Sequence, residues 1–146
     1  MLDLPDVNIL VALALPRHIH HQPATSWWQN TERYALTPFT ETALLRLLMN
    51  PALTRAPLTF GAAQEVTAAI ATNTRAEFLA DNISLLHVSF DTSVIRGAKQ
   101  VTDAHLVELA RRNNAQLVTL DAKMPVSLGP NAATSITVIG PGPDKP

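Results

Sequence analysis

The sequence predicts an α/β fold in which a mainly parallel sheet of about four or five short strands is covered by helices on both faces. Two observations carry this. Short apolar runs alternate with longer segments of helical spacing along the 146 residues, which is the pattern of βαβ units and a parallel sheet. No internal repeat and no linker interrupts that alternation before the tail, so residues 1–140 read as one domain of ordinary size.

Leu2 to Pro5 is a very short first strand, and Val7 to Leu15 follows as a buried helix stopped by Pro16. Pro23 suits the first turn of a second helix that reaches about Asn30. Tyr34 to Leu36 is a second strand. Thr40 is placed to N-cap an apolar helix over Glu41 to Met49, closed by Asn50-Pro51. Beyond a loop at Leu53 to Pro57, helices fit Ala62 to Ala71 and Arg75 to Ala80, divided at Asn73-Thr74. Ser84 to Ser89 reads as a strand. Thr102 is placed to cap a helix through Arg112, whose Leu106, Leu109 and Ala110 share a face. Leu117 to Leu120 and Ile136 to Ile139 complete the sheet. The tail from Gly140, rich in proline, continues neither helix nor strand, and residues 141–146 read as disordered.

Composition narrows the function classes. A 47% hydrophobic and 16% charged chain packs a core. Eleven basic against twelve acidic residues give a formal charge of −1, so any nucleic-acid binding must be local or metal-assisted. The absence of cysteine excludes disulfides and thiolate metal sites and suits a reducing cytoplasm. Asp3 and Asp6 with no basic region do not make a signal peptide. The longest apolar run, Ile9 to Leu15, is too short to cross a bilayer, so no membrane association is expected.

Four phrases put a carboxylate where an apolar run meets a turn or a helix start. They are Leu-Pro-Asp-Val-Asn at Leu4 to Asn8, Phe-Thr-Glu-Thr at Phe39 to Thr42, Val-Thr-Asp-Ala at Val101 to Ala104, and Thr-Leu-Asp-Ala at Thr119 to Ala122. In parallel sheets ligands bind at the carboxyl ends of the strands. Asp6 and Asp121 fall at such ends, and Glu41 and Asp103 begin helices directed at the same edge. Each acid has an ordinary explanation. Asp6 can cap a helix, Asp121 can make a turn, and first-turn acids gain roughly 0.3–1 kcal/mol from the helix dipole. Together they crowd like charges, which resist ionisation unless a hard divalent cation neutralises them. Asn8 adds an amide beside Asp6, and the hydroxyls of Thr40 and Thr102 adjoin two of the acids.

These residues resemble a known family. Leu-Pro-Asp-Val-Asn-Ile-Leu-Val-Ala-Leu-Ala is similar to the opening of PIN-domain ribonucleases, specifically the toxin component of VapBC toxin–antitoxin systems. The spacing from His20 to Trp27, the stretch Pro38 to Pro51, Gln100-Val-Thr-Asp-Ala-His-Leu-Val-Glu-Leu-Ala110 and Ala115-Gln-Leu-Val-Thr-Leu-Asp121 match in order along nearly the whole chain. The resemblance implies a PIN-like three-layer α/β/α sandwich and a metal-dependent endoribonuclease. Its ligands for Mg²⁺ or Mn²⁺ would be Asp6, Asp103, Glu41 and Asp121, with metal-activated water as nucleophile. It also implies a cognate VapB-type antitoxin, an RNA substrate and a homodimer. The chain departs from many relatives at Lys123-Met124-Pro125, where an arginine, a glycine and an aromatic or leucine are usual.

Arg96, Lys99 and Lys123 flank the acids in sequence and are candidate RNA contacts, with solvated surface charge as the alternative. His18, His20 and His21 lack regular ligand spacing and read as a loop. Trp27 and Trp28 face different ways on a helix, so at least one belongs to a core or interface. A receiver-like phosphoacceptor domain is a different function on a similar sheet, but it calls for an acidic pair after the first strand, where this chain has one aspartate. A non-catalytic interaction module, with the acids serving only as caps, is the third reading.

Overall fold

The computed structural model describes residues 1–140, so the expected tail at 141–146 lies outside the described residues. Five parallel strands form one sheet: β1 (Leu2–Pro5), β2 (Tyr34–Leu36), β3 (Ala76–Phe78), β4 (Ala115–Thr119) and β5 (Ile136–Val138). Their spatial order is β3-β2-β1-β4-β5. The chain runs outward from β1 to β3, then returns to set β4 against β1 in the register Leu4 to Leu117 and Pro5 to Val118. The direction of winding therefore reverses between β1 and β4, where open α/β sheets bind ligands.

Helices cover both faces. α1 (Val7–Ala14), α2 (His21–Asn30), α3 (Pro38–Leu48) and α4 (Phe60–Ala71) lie on one, α5 (Ala98–Arg112) and α6 (Met124–Ala133) on the other. Alternation along the strands decides the split. Leu2 and Leu4 pack with Leu106, Leu109 and Leu128. On the opposite face Tyr34 and Leu36 meet Leu10, Leu44 and Leu48, and Val118 meets Ile9 and Ala24. This is the expected three-layer α/β/α arrangement. Among the described residues no helix is long and apolar enough to cross a membrane.

Several elements differ from the sequence reading. Arg75 to Ala80 is not a helix: Ala76–Phe78 forms edge strand β3, paired to β2 from Tyr34–Ala76 to Leu36–Phe78. A short apolar run carries no period long enough to separate helix from strand. Ser84 to Ser89 is not a strand, because that stretch bonds to α5 side chains instead of a sheet edge. The fully buried Glu108 carboxylate accepts from Ser89 N at 2.9 Å, Ser89 Oγ at 2.7 Å and Arg112 Nε at 2.6 Å. Arg112 also donates to His87 O, and Phe90 inserts into the core.

Two helices start earlier than their hydroxyls suggested. Thr37, not Thr40, is the N-cap residue of α3, and the buried Thr40 Oγ1 is used within that turn, accepting from Thr37 N at 3.1 Å. Gly97, not Thr102, precedes α5, and Gln100 Oε1 accepts from Gly97 N and Arg96 N. Helix α6 occupies a stretch between the last two strands for which no element is expected, and it holds Pro125, Gly129 and Pro130. Gly129 does break it: at φ 87° and ψ 168° it kinks the helix in a region open essentially to glycine alone.

Candidate active site

The carboxyl edge at the β1–β4 junction is built from backbone upward. Asp6 N donates to Val118 O at 2.8 Å, extending the β1–β4 pairing by one residue. Asp6 then turns into α1 as its N-cap, with Oδ1 accepting from Val7 N at 2.7 Å. Its other oxygen, Oδ2, accepts from the Thr119 hydroxyl at 2.8 Å. That hydroxyl is a fully buried junction. Its oxygen accepts from Asn8 Nδ2 and from Asp121 N, both at 3.1 Å. With both lone pairs engaged, its single hydrogen is committed to Asp6. Asn8 Oδ1 in turn accepts from Leu120 N at 3.2 Å, tying α1 to the end of β4. Asp121 folds back as a turn, Oδ1 accepting from Lys123 N at 2.9 Å, and is exposed to solvent.

Electrostatics join Asp103 to this group from the other face of the sheet. Burial raises the Asp103 carboxyl to about 6, and the charges of Asp6 and Asp121 add to the rise. Asp6 is also raised. Burial is the main cause, the hydrogen bonds from Thr119 and Val7 oppose it, and Asp121 adds repulsion. Three of the four expected acids therefore act on one another. Glu41 stands in the first turn of α3, beyond the carboxyl end of β2, and contributes to neither shift. Asp103 lies inside α5 and not in its first turn, so a role in dipole stabilisation does not account for it.

The remaining residues divide cleanly. Asn8 joins the acids through Thr119. Thr40 serves its own helix turn, and Thr102 is exposed on α5. Arg96, Lys99 and Lys123 are exposed and form no ion pair among the described residues. His21 begins α2 instead of lying in the expected loop, and its Nδ1 bonds Ala12 O at 2.8 Å. Trp27 Nε1 donates to Asp3 and Trp28 Nε1 to Tyr34, so both indoles are part of the scaffold. Sequence reasoning missed Thr119. Its signal was a hydroxyl closing an apolar strand two residues before Asp121.

Among the described residues, no three carboxylates or imidazoles lie close enough together to enclose a cation outright. The donor set nonetheless fits a hard divalent ion. It consists of carboxylate oxygens, and Mg²⁺ keeps several waters and needs only one or two carboxylates.

The chain matches known proteins along most of its length. The PIN domain family model matches residues 4–126. Ribonuclease VapC38 of Mycobacterium tuberculosis is 42% identical over 121 residues, covering 82% of this chain and 84% of that protein. Ribonuclease VapC29 of the same organism is 36% identical over 123 residues, covering 84% and 87%. The crystal structure of Mycobacterium tuberculosis VapC20, described as a Sarcin-Ricin loop cleaving toxin, superposes with a TM-score of 0.62 at 14% identity. It covers 87% of this chain and 95% of that one, which is a likeness of fold.

Proposed function

The chain belongs to the PIN domain family, among the VapC ribonucleases, and on that footing we propose that Asp6, Asp103, Glu41 and Asp121 make it an Mg²⁺-dependent endoribonuclease. It is the toxin of a VapBC pair, with residues 1–140 as its nuclease domain. The observation that carries the site is the hydrogen-bond set that joins Asp6, Asn8, Thr119 and Asp121 at the reversal point of the sheet.

Asp6 and Asp103 would be the principal metal ligands, with Glu41 and Asp121 completing the set directly or through water. A divalent cation held by these acids would supply the charge that orients a phosphodiester, activates water and stabilises the leaving oxygen. The chain's own residues do the rest. Thr119 and Val7 N hold the Asp6 carboxylate in one orientation. Asn8 holds the end of β4, and hence Asp121, at a fixed distance from α1. Thr102 stands beside Asp103 as a supporting hydroxyl. Lys99, one turn before Asp103, and Lys123, two residues after Asp121, offer cations to RNA phosphates with Arg96. Lys99→Ala should raise KM and lower the salt dependence of binding by about one phosphate contact.

A cognate VapB-type antitoxin is the protein partner that fits this reading, and the cytoplasm is the setting that supplies both it and RNA. A homodimer is the proposed assembly. Leu44 and Leu48 are buried in the core and cannot serve it, whereas Met49, Leu53 and Phe60 beyond them are among the exposed apolar side chains. Purified protein should cleave RNA with Mg²⁺ and stop with EDTA. Cleavage that EDTA does not touch would refute the metal-dependent reading.

A further inference from the structure

Glu41 and Asp103 are carried by helices on opposite faces of the sheet. α3 packs against α1 and α4, whereas α5 packs against β4 and α6. Any site that uses both acids needs their separation fixed across the sheet edge. Among the described residues, an aromatic contact between Phe39 and His105 spans it. Phe39, two residues before Glu41, places its ring 5.7 Å from the imidazole of His105, two residues after Asp103. Phe39 joins the core on the α5 side, although Leu44 and Leu48 of its own helix pack on the other. The imidazole is held in turn by Asp81, in the segment leaving the carboxyl end of β3. His105 Nε2 lies 2.8 and 3.0 Å from the two Asp81 oxygens. An ionised carboxylate only accepts, so Nε2 carries the hydrogen, and two acceptors fix the ring.

Stability alone is a poor reason for this pair. Its side chains are 21% and 20% exposed, and a single hydrogen-bonded contact adds only modestly to folding. An apolar side chain at position 105 would fill the same ground between Phe39 and the loop. What the pair adds is direction.

We propose that Phe39, His105 and Asp81 form a brace across the sheet edge that sets the separation of Glu41 and Asp103. His105 and Asp81 are thereby positioning residues for the nuclease. The proposal rests on the metal-dependent reading of the same site.

The test is Mn²⁺ binding followed by electron paramagnetic resonance, with melting of the metal-free protein measured alongside. The variants are His105→Ala, Asp81→Ala, Asp81→Asn and the double alanine. Each single alanine should weaken Mn²⁺ binding about fivefold, less than the roughly tenfold or more lost when a direct partner of a metal ligand is removed. The double variant should be no weaker than either single, because both break one linkage. Asp81→Asn keeps one of the two acceptors for Nε2–H and should weaken binding less than Asp81→Ala does. Should alanine at 105 fail to fold, the contrast between the two Asp81 variants decides alone. Unchanged Mn²⁺ affinity in the alanine variants overturns the brace, as does Asp81→Asn failing as badly as Asp81→Ala. Wild-type protein that binds no Mn²⁺ overturns the metal reading and the brace together, whereas a silent brace with intact wild-type binding overturns the brace alone.

Discussion

Thr119 shows how one hydroxyl can order a site made of repelling charges. It gives its only hydrogen to Asp6 and takes hydrogens from Asn8 and Asp121 N. Thr119→Val, close in volume, leaves a buried carboxylate oxygen and two donors without this partner. A lost partner of a buried polar group costs about 1–3 kcal/mol, so denaturant melts should show a loss of that order, with cleavage falling at least as steeply. Asp103 supplies a second prediction. Its folded carboxyl is raised to about 6, so the folded state binds the proton more tightly than the unfolded chain. The resulting stability is complete below the unfolded value, near 4, and is lost as pH rises through about 6. Metal-free protein should therefore melt at lower temperature at pH 7 than at pH 4.5. Asp103→Asn should flatten that slope, and a saturating divalent ion should offset the loss at pH 7. A wild-type profile that rises over this interval would contradict the shift. Asp6 and Asp121 were legible as single letters beside strand ends. Thr119 was not, because a threonine ending an apolar run usually serves the strand.

The irregular segment between β3 and α5 depends on α5 for its shape. Glu108 is fully buried and satisfies Ser89 N, Ser89 Oγ and Arg112 at once. Burial opposes its charge, but the bonds from Ser89 and Arg112 prevail and hold its carboxyl below the usual value. Glu108→Ala strands those donors and should destabilise by roughly 2–4 kcal/mol in denaturant melts. Gly129→Ala forces a side chain into a backbone region reserved for glycine, with Val94 Cγ1 3.4 Å from the new carbon, at about 1–3 kcal/mol by the same measurement. The sequence displayed those elements whose pattern was longest or best bounded, such as Val7 to Ala14 and the body of α5. It misled where tertiary bonding overrode local pattern. Ser84 to Ser89 looks extended but answers to Glu108, and Pro125 to Pro130, where no element is expected, lies in a helix with one glycine kink.

Strand order is the property of the whole chain that makes the acids a site. With β4 set against β1, residues 115 positions apart in sequence, Asp6 and Asp121, come to one edge. α5 carries Asp103 to the neighbourhood of Asp6 and Asp121 from one face, and Glu41 stands in the first turn of α3 on the other. Alternating short strands and helices disclosed the parallel sheet and its carboxyl edge. They did not disclose that β3 sits at the far end of the sheet, since three residues carry no pairing information of their own. The account as a whole turns on whether these carboxylates do chemistry or only cap helices. The most direct test is RNA cleavage by Asp6→Asn in Mg²⁺, with the melting temperature of the same metal-free sample. Removing the Asp6 charge should abolish cleavage. Because asparagine keeps one acceptor oxygen for the two donors Val7 N and Thr119 Oγ1, the fold should persist with a loss no larger than about 1–3 kcal/mol. Full cleavage by Asp6→Asn would contradict the account.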